Sequence, residues 1–344
     1  MPKPSASATV VVGLGASAGG LEVLCTVLGG LPPDLPAAVV IVLHLSPTAP
    51  SVLDEILRRC GSLPVSFVRE RVPLEAGRVY VAPPDNHLTV GRGFVCTDRG
   101  PTVNAVRPSA DVLFGSLAEQ FGPRAVGVIL SGTLDDGAAG LLRIKEAGGL
   151  SIVQDPKEAV FPGMPERAIG LAGPDHVCAA AEVPDLIAAA VRAIVSGPGN
   201  PGEDPELPDP VDADEPGTAA EDRIPDGNPS ELTCPECGGV LWAQGQEELT
   251  FRCRVGHAYS PDSLVARHSQ RVEEALWSAV VALEERADLF RRVCRRLAGS
   301  GPSHLTTHFE TGADAAVESA RVLRDAIPEI VTSPLSGDNR AVRD

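Results

Sequence analysis

The chain has 344 residues, 43% of them apolar, and a formal net charge of −17. At about 100–200 residues per domain, this length points to two domains with sizeable cores. An acidic chain without a dense basic tract is a poor match for nucleic-acid binding, and its apolar runs fall short of the ~18 residues of a membrane span.

Taken in chain order, Lys3, the apolar run Ala8–Gly15 and Ala16-Ser17-Ala18 imitate a secretory leader. The run is too short, β-branched and glycine-broken for one, and it continues into a helical pattern. Residues 8–195 alternate near-continuous apolar runs (Thr9–Leu14, Ala38–Leu43, Val65–Val68, Ala125–Leu130, Leu150–Gln154) with amphipathic segments (Leu21–Leu28, Ser51–Arg59, Asp111–Phe121, Ala138–Ala147, Met164–Leu171, Pro184–Val195). Strands apolar on both faces, separated by helices, imply an α/β fold with a parallel, doubly wound, Rossmann-like sheet. Arg78–Val81, Leu88–Val90 and Phe94–Thr97, spaced by Pro-Pro-Asp and Gly-Arg-Gly turns, read as an antiparallel insertion. The domains expected are a catalytic block over 1–195, a linker over 196–230, a metal module over 231–260 and a helical hairpin with tail over 261–344. The linker reading rests on eight prolines over 196–230 and ten acids against one arginine over 201–230. Such a composition buries too little to offset its ordering entropy.

Cys25, Cys60, Cys96, Cys178 and Cys294 stand singly in apolar surroundings. They are expected to be buried free thiols, in keeping with a reducing cytoplasm. Cys234-x₂-Cys237, fifteen residues and Cys253-x₃-His257 form a different pattern. Three thiolates and an imidazole make a closed tetrahedral set, so a structural zinc site is expected, with no open position for catalysis. A redox Cys-x-x-Cys pair would leave Cys253 and His257 idle. Beyond it, Leu264, Val272, Leu276, Ala279, Leu283, Phe290, Val293 and Leu297 recur at helical spacing; after a break at Gly299–Pro302, a shorter helix is expected near Asp314–Ala326. These helices pack on each other or serve partner docking and self-association, and Arg291-Arg292 and Arg295-Arg296 read as a solvated face.

The chemistry-bearing residues gather where the strands end. Gly13-Leu14-Gly15-Ala16-Ser17-Ala18-Gly19-Gly20 admits three readings: a dinucleotide-binding loop, a G-x-S-x-G nucleophile elbow, or a plain turn capped by serine. A dinucleotide fold wants an acid at the end of the second strand, where this chain has His44. Parallel neighbours lie about 4.8 Å apart, so Ser17 and His44 can face each other as nucleophile and general base. The strand Ala125–Leu130 leads to Asp135 and Asp136 at the same edge, either of which can orient an imidazole or merely cap the next helix. The order Ser…His…Asp differs from the Ser…Asp…His of α/β-hydrolases. His87 is the spare histidine and reads as structural.

At these residues the sequence resembles the CheB-type protein-glutamate methylesterases of bacterial chemotaxis signal transduction. The resemblance is carried by Gly15–Leu21, Leu43-His44-Leu45-Ser46-Pro47, Val79–Pro84, Arg107-Pro108-Ser109-Ala110-Asp111-Val112-Leu113-Phe114, Leu130–Gly140 and Gly163–Ile169, in order over about residues 8–195. It implies a serine hydrolase that demethylates, and in some members deamidates, a methyl-accepting chemoreceptor-like protein, with no cofactor in catalysis. Carried over by position, Ser17 is the nucleophile, His44 the base and Asp136, which directly precedes the glycine, the acid. Amides of Ala18 or Gly19 are the expected oxyanion donors. Thr133 stands near that site where the family usually has methionine; the change is tolerable if only its backbone amide is used. The typical family member begins with a receiver domain fed by a phosphorelay; this sequence begins at the catalytic block, so control by that route is not expected. The alternative reading is a catalytically silent scaffold on the same fold.

Overall fold

The protein is described by a computed structural model over residues 8–196, 225, 227–244, 250–297 and 303–331. Most of the stretch expected as a linker, and the break at Gly299–Pro302, lie outside the described residues. In the first unit, Met1–Ser263, the elements run β1 (Val11–Ala16), α1 (Gly20–Gly30), β2 (Ala38–Leu43), α2 (Leu53–Cys60), β3 (Val65–Phe67), β4 (Val72–Pro73), β5 (Val79–Val81), β6 (His87–Gly91), β7 (Phe94–Asp98) and α3 (Ala110–Phe121). They continue with β8 (Ala125–Ile129), α4 (Ala138–Glu146), β9 (Leu150–Gln154), α5 (Gly163–Ala172), β10 (His176–Cys178) and α6 (Val183–Ser196).

Seven strands form one sheet in the order β10-β9-β8-β1-β2-β5-β3, every pairing parallel. Side chains of successive strand residues point to opposite faces. In β2, Ala38, Val40 and Val42 join the core under α3, α4 and α5, while Val39, Ile41 and Leu43 join the core under α1, α2 and α6. Both faces are therefore covered, which explains why the strands read as unbroken apolar runs. The strand order reverses at β1, with β2 on one side and β8 on the other, and the crevice at such a switch point is where open α/β sheets bind ligands.

Two expectations change. Val79–Val81 lies parallel between β2 and β3 in the main sheet, and the antiparallel insertion is instead β4-β7-β6. Three apolar residues carry no signal for pairing direction; the buried position between two strands decided it. Cys25 and Cys60 form a disulfide with their Cα atoms 4.9 Å apart rather than standing as free thiols, because Cys25 on α1 and Cys60 at the end of α2 meet where these helices pack on one face. Cys96, Cys178 and Cys294 are free and half-buried.

Glycines in β1 are packing residues. A Cβ on Gly13 would come within 2.5 Å of Leu117 Cδ1, and one on Gly15 within 2.8 Å of Ala110 Cβ. Their bare backbone lets α3 lie directly against the strand, with Phe114 wholly buried between. The space that a dinucleotide reading would give to a pyrophosphate is filled by a helix.

The unit also contains a small antiparallel sheet, β11 (Asn228–Thr233), β12 (Val240–Gln244), β13 (Thr250–Cys253) and β14 (Ala258–Tyr259). The second unit spans Leu264–Asp344. It holds most of α7 (Pro261–Leu297) and all of α8 (Ser303–Val331). Within it, Leu276, Val280 and Leu283 pack with Ala320, Leu323 and Ile327, and the Phe290 and Phe309 rings lie 5.8 Å apart. The second helix has 29 residues and extends beyond the expected Asp314–Ala326. Gly312, which reads as a weak helix residue, lies within it because Phe290 packs where its Cβ would be.

Candidate active site

The β1–β2 register pairs Ala16 with Leu43, and the His44 amide donates to Ala16 O at 3.2 Å. Ser17 and His44, one residue further on, therefore stand side by side at the carboxyl edge of the sheet. The Ser17 amide donates to Ser131 O at 2.9 Å, which ties the end of β1 to the loop after β8. Ser131 is itself fixed: its amide donates to Gln154 Oε1 at 2.9 Å and its hydroxyl to Ala18 O at 2.9 Å. Gly132 is required here, since a Cβ on it would lie 2.1 Å from Met164 Sδ and 2.9 Å from Ser17 Cβ.

His44 Nε2 lies 2.8 Å from Asp136 Oδ2. A carboxylate can only accept, so the contact places the proton on Nε2 and leaves the lone pair on Nδ1. Among the described residues Ser17 Oγ makes no hydrogen bond, to His44 or to any other group.

Asp136 is buried at the N-terminus of α3. Its Oδ2 also accepts the Ala110 amide at 2.6 Å, and its Oδ1 accepts the Ser109 hydroxyl at 2.6 Å. Burial pushes this carboxyl up, but the bond and charge of His44, with the bonds from Ser109 and Ala110, outweigh burial and hold it below the usual range. Asp136 is thus an ionised, fully satisfied acceptor. Asp135 differs. Its Oδ1 is buried without a partner, and burial, with the neighbouring charge of Asp136 adding to it, pushes its carboxyl up to about 6. The structure pairs Asp136, not its neighbour, with the imidazole.

Among the described residues, the backbone amides of Ala18, Gly19 and Thr133 are not taken up by other groups. Gly19 has a left-handed φ of 69° just ahead of α1. Thr133 lies exposed on the β8–α4 loop. Val160 and Phe161, both exposed, lie so close to Gly19 that a Cβ there would meet them at 3.0 and 3.1 Å. His87 is buried, with Nε2 2.9 Å from Pro101 O. Ser109 and Ala110 fall in the Arg107–Phe114 block that carries the resemblance, but their contacts with Asp136, and that of Asn104, have no sequence signal that assigns them.

Cys234, Cys237, Cys253 and His257 bring their ligand atoms within 4.8 Å of one another. Cys237 and Cys253 sulfurs are 3.6 Å apart, and His257 Nδ1 lies 3.6 and 3.5 Å from the sulfurs of Cys234 and Cys253. A tetrahedron with bonds of about 2.3 Å to sulfur and about 2.0 Å to nitrogen has edges of about 3.5–3.8 Å, so the donor set fits a zinc-sized ion. His257 Nε2 lies 3.3 Å from Glu236 Oε2, the carboxylate–histidine arrangement that fixes a ligand ring. Burial pushes the Cys234 thiol up, but hydrogen bonds from the Cys237 and Glu236 backbone outweigh it and hold it low.

The family profile described as CheB methylesterase matches residues 12–187. The chain is 35% identical over 204 residues to a protein-glutamate methylesterase/protein-glutamine glutaminase of Pyrococcus horikoshii, covering 58% of this chain and 55% of that one. It is 41% identical over 183 residues to protein-glutamate methylesterase/protein-glutamine glutaminase 2 of Anaeromyxobacter dehalogenans, covering 53% of each. The chain thus spans about half the length of these curated relatives. The crystal structure of the CheB methylesterase catalytic domain of Thermotoga maritima is similar, with a TM-score of 0.50 at 31% identity over 52% of this chain and 97% of that one. With the profile matching half of the chain and the parallel sheet shared with the solved catalytic domain, the chain belongs to the CheB methylesterase family.

Proposed function

We propose that this protein is a protein-glutamate methylesterase and protein-glutamine glutaminase acting through Ser17, His44 and Asp136. The observation that carries the reading is the His44–Asp136 bond at 2.8 Å beside a serine held next to His44 by the β1–β2 register. A serine hydroxyl is a weak nucleophile near neutral pH. His44 Nδ1, left basic by the tautomer that Asp136 imposes, takes the Ser17 proton as Oγ bonds to the ester carbonyl carbon. Amides of Ala18 and Gly19, with that of Thr133, face the negative charge developing on the carbonyl oxygen. His44 returns its proton to the leaving methoxide, so methanol departs and an acyl-serine remains. Water, deprotonated by His44, then attacks the acyl carbon, and His44 passes that proton to Ser17 Oγ as it leaves, which frees the glutamate; with glutamine as substrate, ammonia leaves in place of methanol in the first step. No cofactor enters these steps.

The proposed substrate is a methyl-accepting chemoreceptor-like protein. The exposed Val160 and Phe161 beside Gly19 supply an apolar rim for its side chains, and no nucleic acid is involved. No described helix is long and apolar enough to cross a membrane. A cytoplasmic location is part of the proposal. Zinc at Cys234, Cys237, Cys253 and His257 would have a structural role, since four protein donors close the site. Exposed Trp277, Val281 and Leu289 on α7 would serve docking to a partner or self-association.

The test is methanol release from a methyl-esterified chemoreceptor fragment, compared between the wild type and Ser17→Ala. Release abolished by the substitution supports the reading; release unchanged refutes it.

A further inference from the structure

We propose that Asn104 is the positioning residue for Asp136 and that the metal-binding ribbon holds it in place, so that metal in the ribbon sets the rate at Ser17. This rests on the esterase reading above. Asn104 is buried in the segment between β7 and α3 with a left-handed φ of 53°, a conformation that asparagine tolerates better than most residues. Its backbone pairs with the ribbon. The Asn104 amide donates to Ala258 O at 2.8 Å, and the Ala258 amide donates to Thr102 O at 3.2 Å. The Thr102 hydroxyl donates to Glu236 Oε1 at 2.8 Å, the carboxylate whose other oxygen faces the ligand His257. One short path therefore joins the metal cluster to the segment carrying Asn104.

The side chain completes the link. Asn104 Oδ1 accepts from the Ser260 amide and the Ser263 hydroxyl, both at 3.0 Å and both just past β14. Its Nδ2 donates to Asp111 Oδ2 at 2.8 Å and reaches Asp136 Oδ1 at 3.4 Å. All four bonding positions of the amide are used, and only one orientation allows it. A flipped amide would set oxygen against two carboxylates and NH₂ against two donors. The end of the ribbon thus dictates that NH₂ groups, rather than oxygen, face the carboxylates. Asn104 Nδ2 is the side-chain donor that the two carboxylates share; Asp136 Oδ1 also accepts the Ser109 hydroxyl at 2.6 Å and the Asp111 amide at 3.4 Å. Burial, and after it the charge of Asp136, already pushes the Asp111 carboxyl up to about 7. A second tie, the ion pair of Arg167 with Asp262 at 2.9 Å, fixes the start of α7 to α5.

The experiment uses the full chain, loaded with one equivalent of zinc or stripped with a chelator, and follows hydrolysis of p-nitrophenyl acetate. In parallel, proton NMR follows the low-field imidazole proton between His44 and Asp136. Losing a hydrogen bond that orients a charged group should lower kcat about tenfold, with KM held within about twofold. That loss is expected in Asn104→Ala and in the stripped wild type alike, and the NMR signal should move or vanish in both. Because one link is broken in each case, stripping Asn104→Ala should cost less than about twofold more. Losses that multiply, or an unmoved proton signal, overturn the proposal. If Asn104→Ala does not fold, Ser263→Ala removes one of the two donors holding the amide and should lower kcat about threefold; no change there overturns it equally. Wild-type turnover by Ser17→Ala refutes the serine mechanism itself. Turnover lost in Ser17→Ala but unchanged in Asn104→Ala refutes only the link to the ribbon.

Discussion

Replacing Asp136 by Asn tests how much of the chemistry depends on one carboxylate. In the wild type, Oδ2 accepts from both His44 and the Ala110 amide, while Oδ1 accepts from Ser109. An amide has only one accepting oxygen. If that oxygen takes the Oδ2 position, His44 keeps its tautomer but loses the negative charge that stabilises its cation at 2.8 Å. If the amide turns over, NH₂ meets the Ala110 amide and His44, and the imidazole must put its proton on Nδ1, facing Ser17, where it can accept nothing. Substitutions of this kind in serine triads cost about 10³–10⁴ in kcat, or about 4–5.5 kcal/mol of transition-state stabilisation. KM should change little, since neither outcome alters the Gly19 edge or the apolar rim. The assay is p-nitrophenyl acetate hydrolysis between pH 6 and 9, with circular dichroism to confirm folding. A folded Asp136→Asn variant within tenfold of wild-type kcat across that range would refute the assignment of Asp136 as the orienting acid.

Three further outcomes are expected. The Asp135 carboxyl is pushed up to about 6, so it costs stability above its ordinary value near 3.8, and the cost grows until the pH passes about 6. That gap converts, at about 1.4 kcal/mol per pH unit, to about 3 kcal/mol at most. Asp135→Asn should therefore raise the Tm at pH 8 but hardly at pH 4, and equal shifts at both would discount the burial argument. Gly132→Ala should fold, with flexible Met164 yielding, yet displace Ser17 and lower kcat about a hundredfold or more; wild-type kcat would show that Ser17 does not need that approach. One zinc per chain should be found by elemental analysis, and lost in Cys253→Ser with a Tm decrease of several degrees. Full zinc content in that variant would exclude Cys253 as a ligand.

The order of strands and helices was legible in the chain because burial on two faces is a local property: each strand had to be apolar throughout, and each helix had to repeat at threes and fours. Ser17 and His44 could be placed together for a related reason, since parallel strands end at one edge. The ligand spacing of Cys234, Cys237, Cys253 and His257 was likewise legible, because one short turn and one x₃ step confine the donors. What the tertiary structure decided was direction and partnership between segments far apart in the chain. Asp135 and Asp136 are chemically alike in sequence; the loop geometry after β8 turned one toward His44 and α3 and left the other buried with an unpartnered oxygen. Gly13 and Gly15 look like a cofactor loop until α3, about a hundred residues later, occupies their space. Cys25 and Cys60, and Asn104 with Ser260, carry no mark of their pairing, because such contacts depend on how helices and loops pack, and packing is set by the whole core rather than by any neighbourhood of residues.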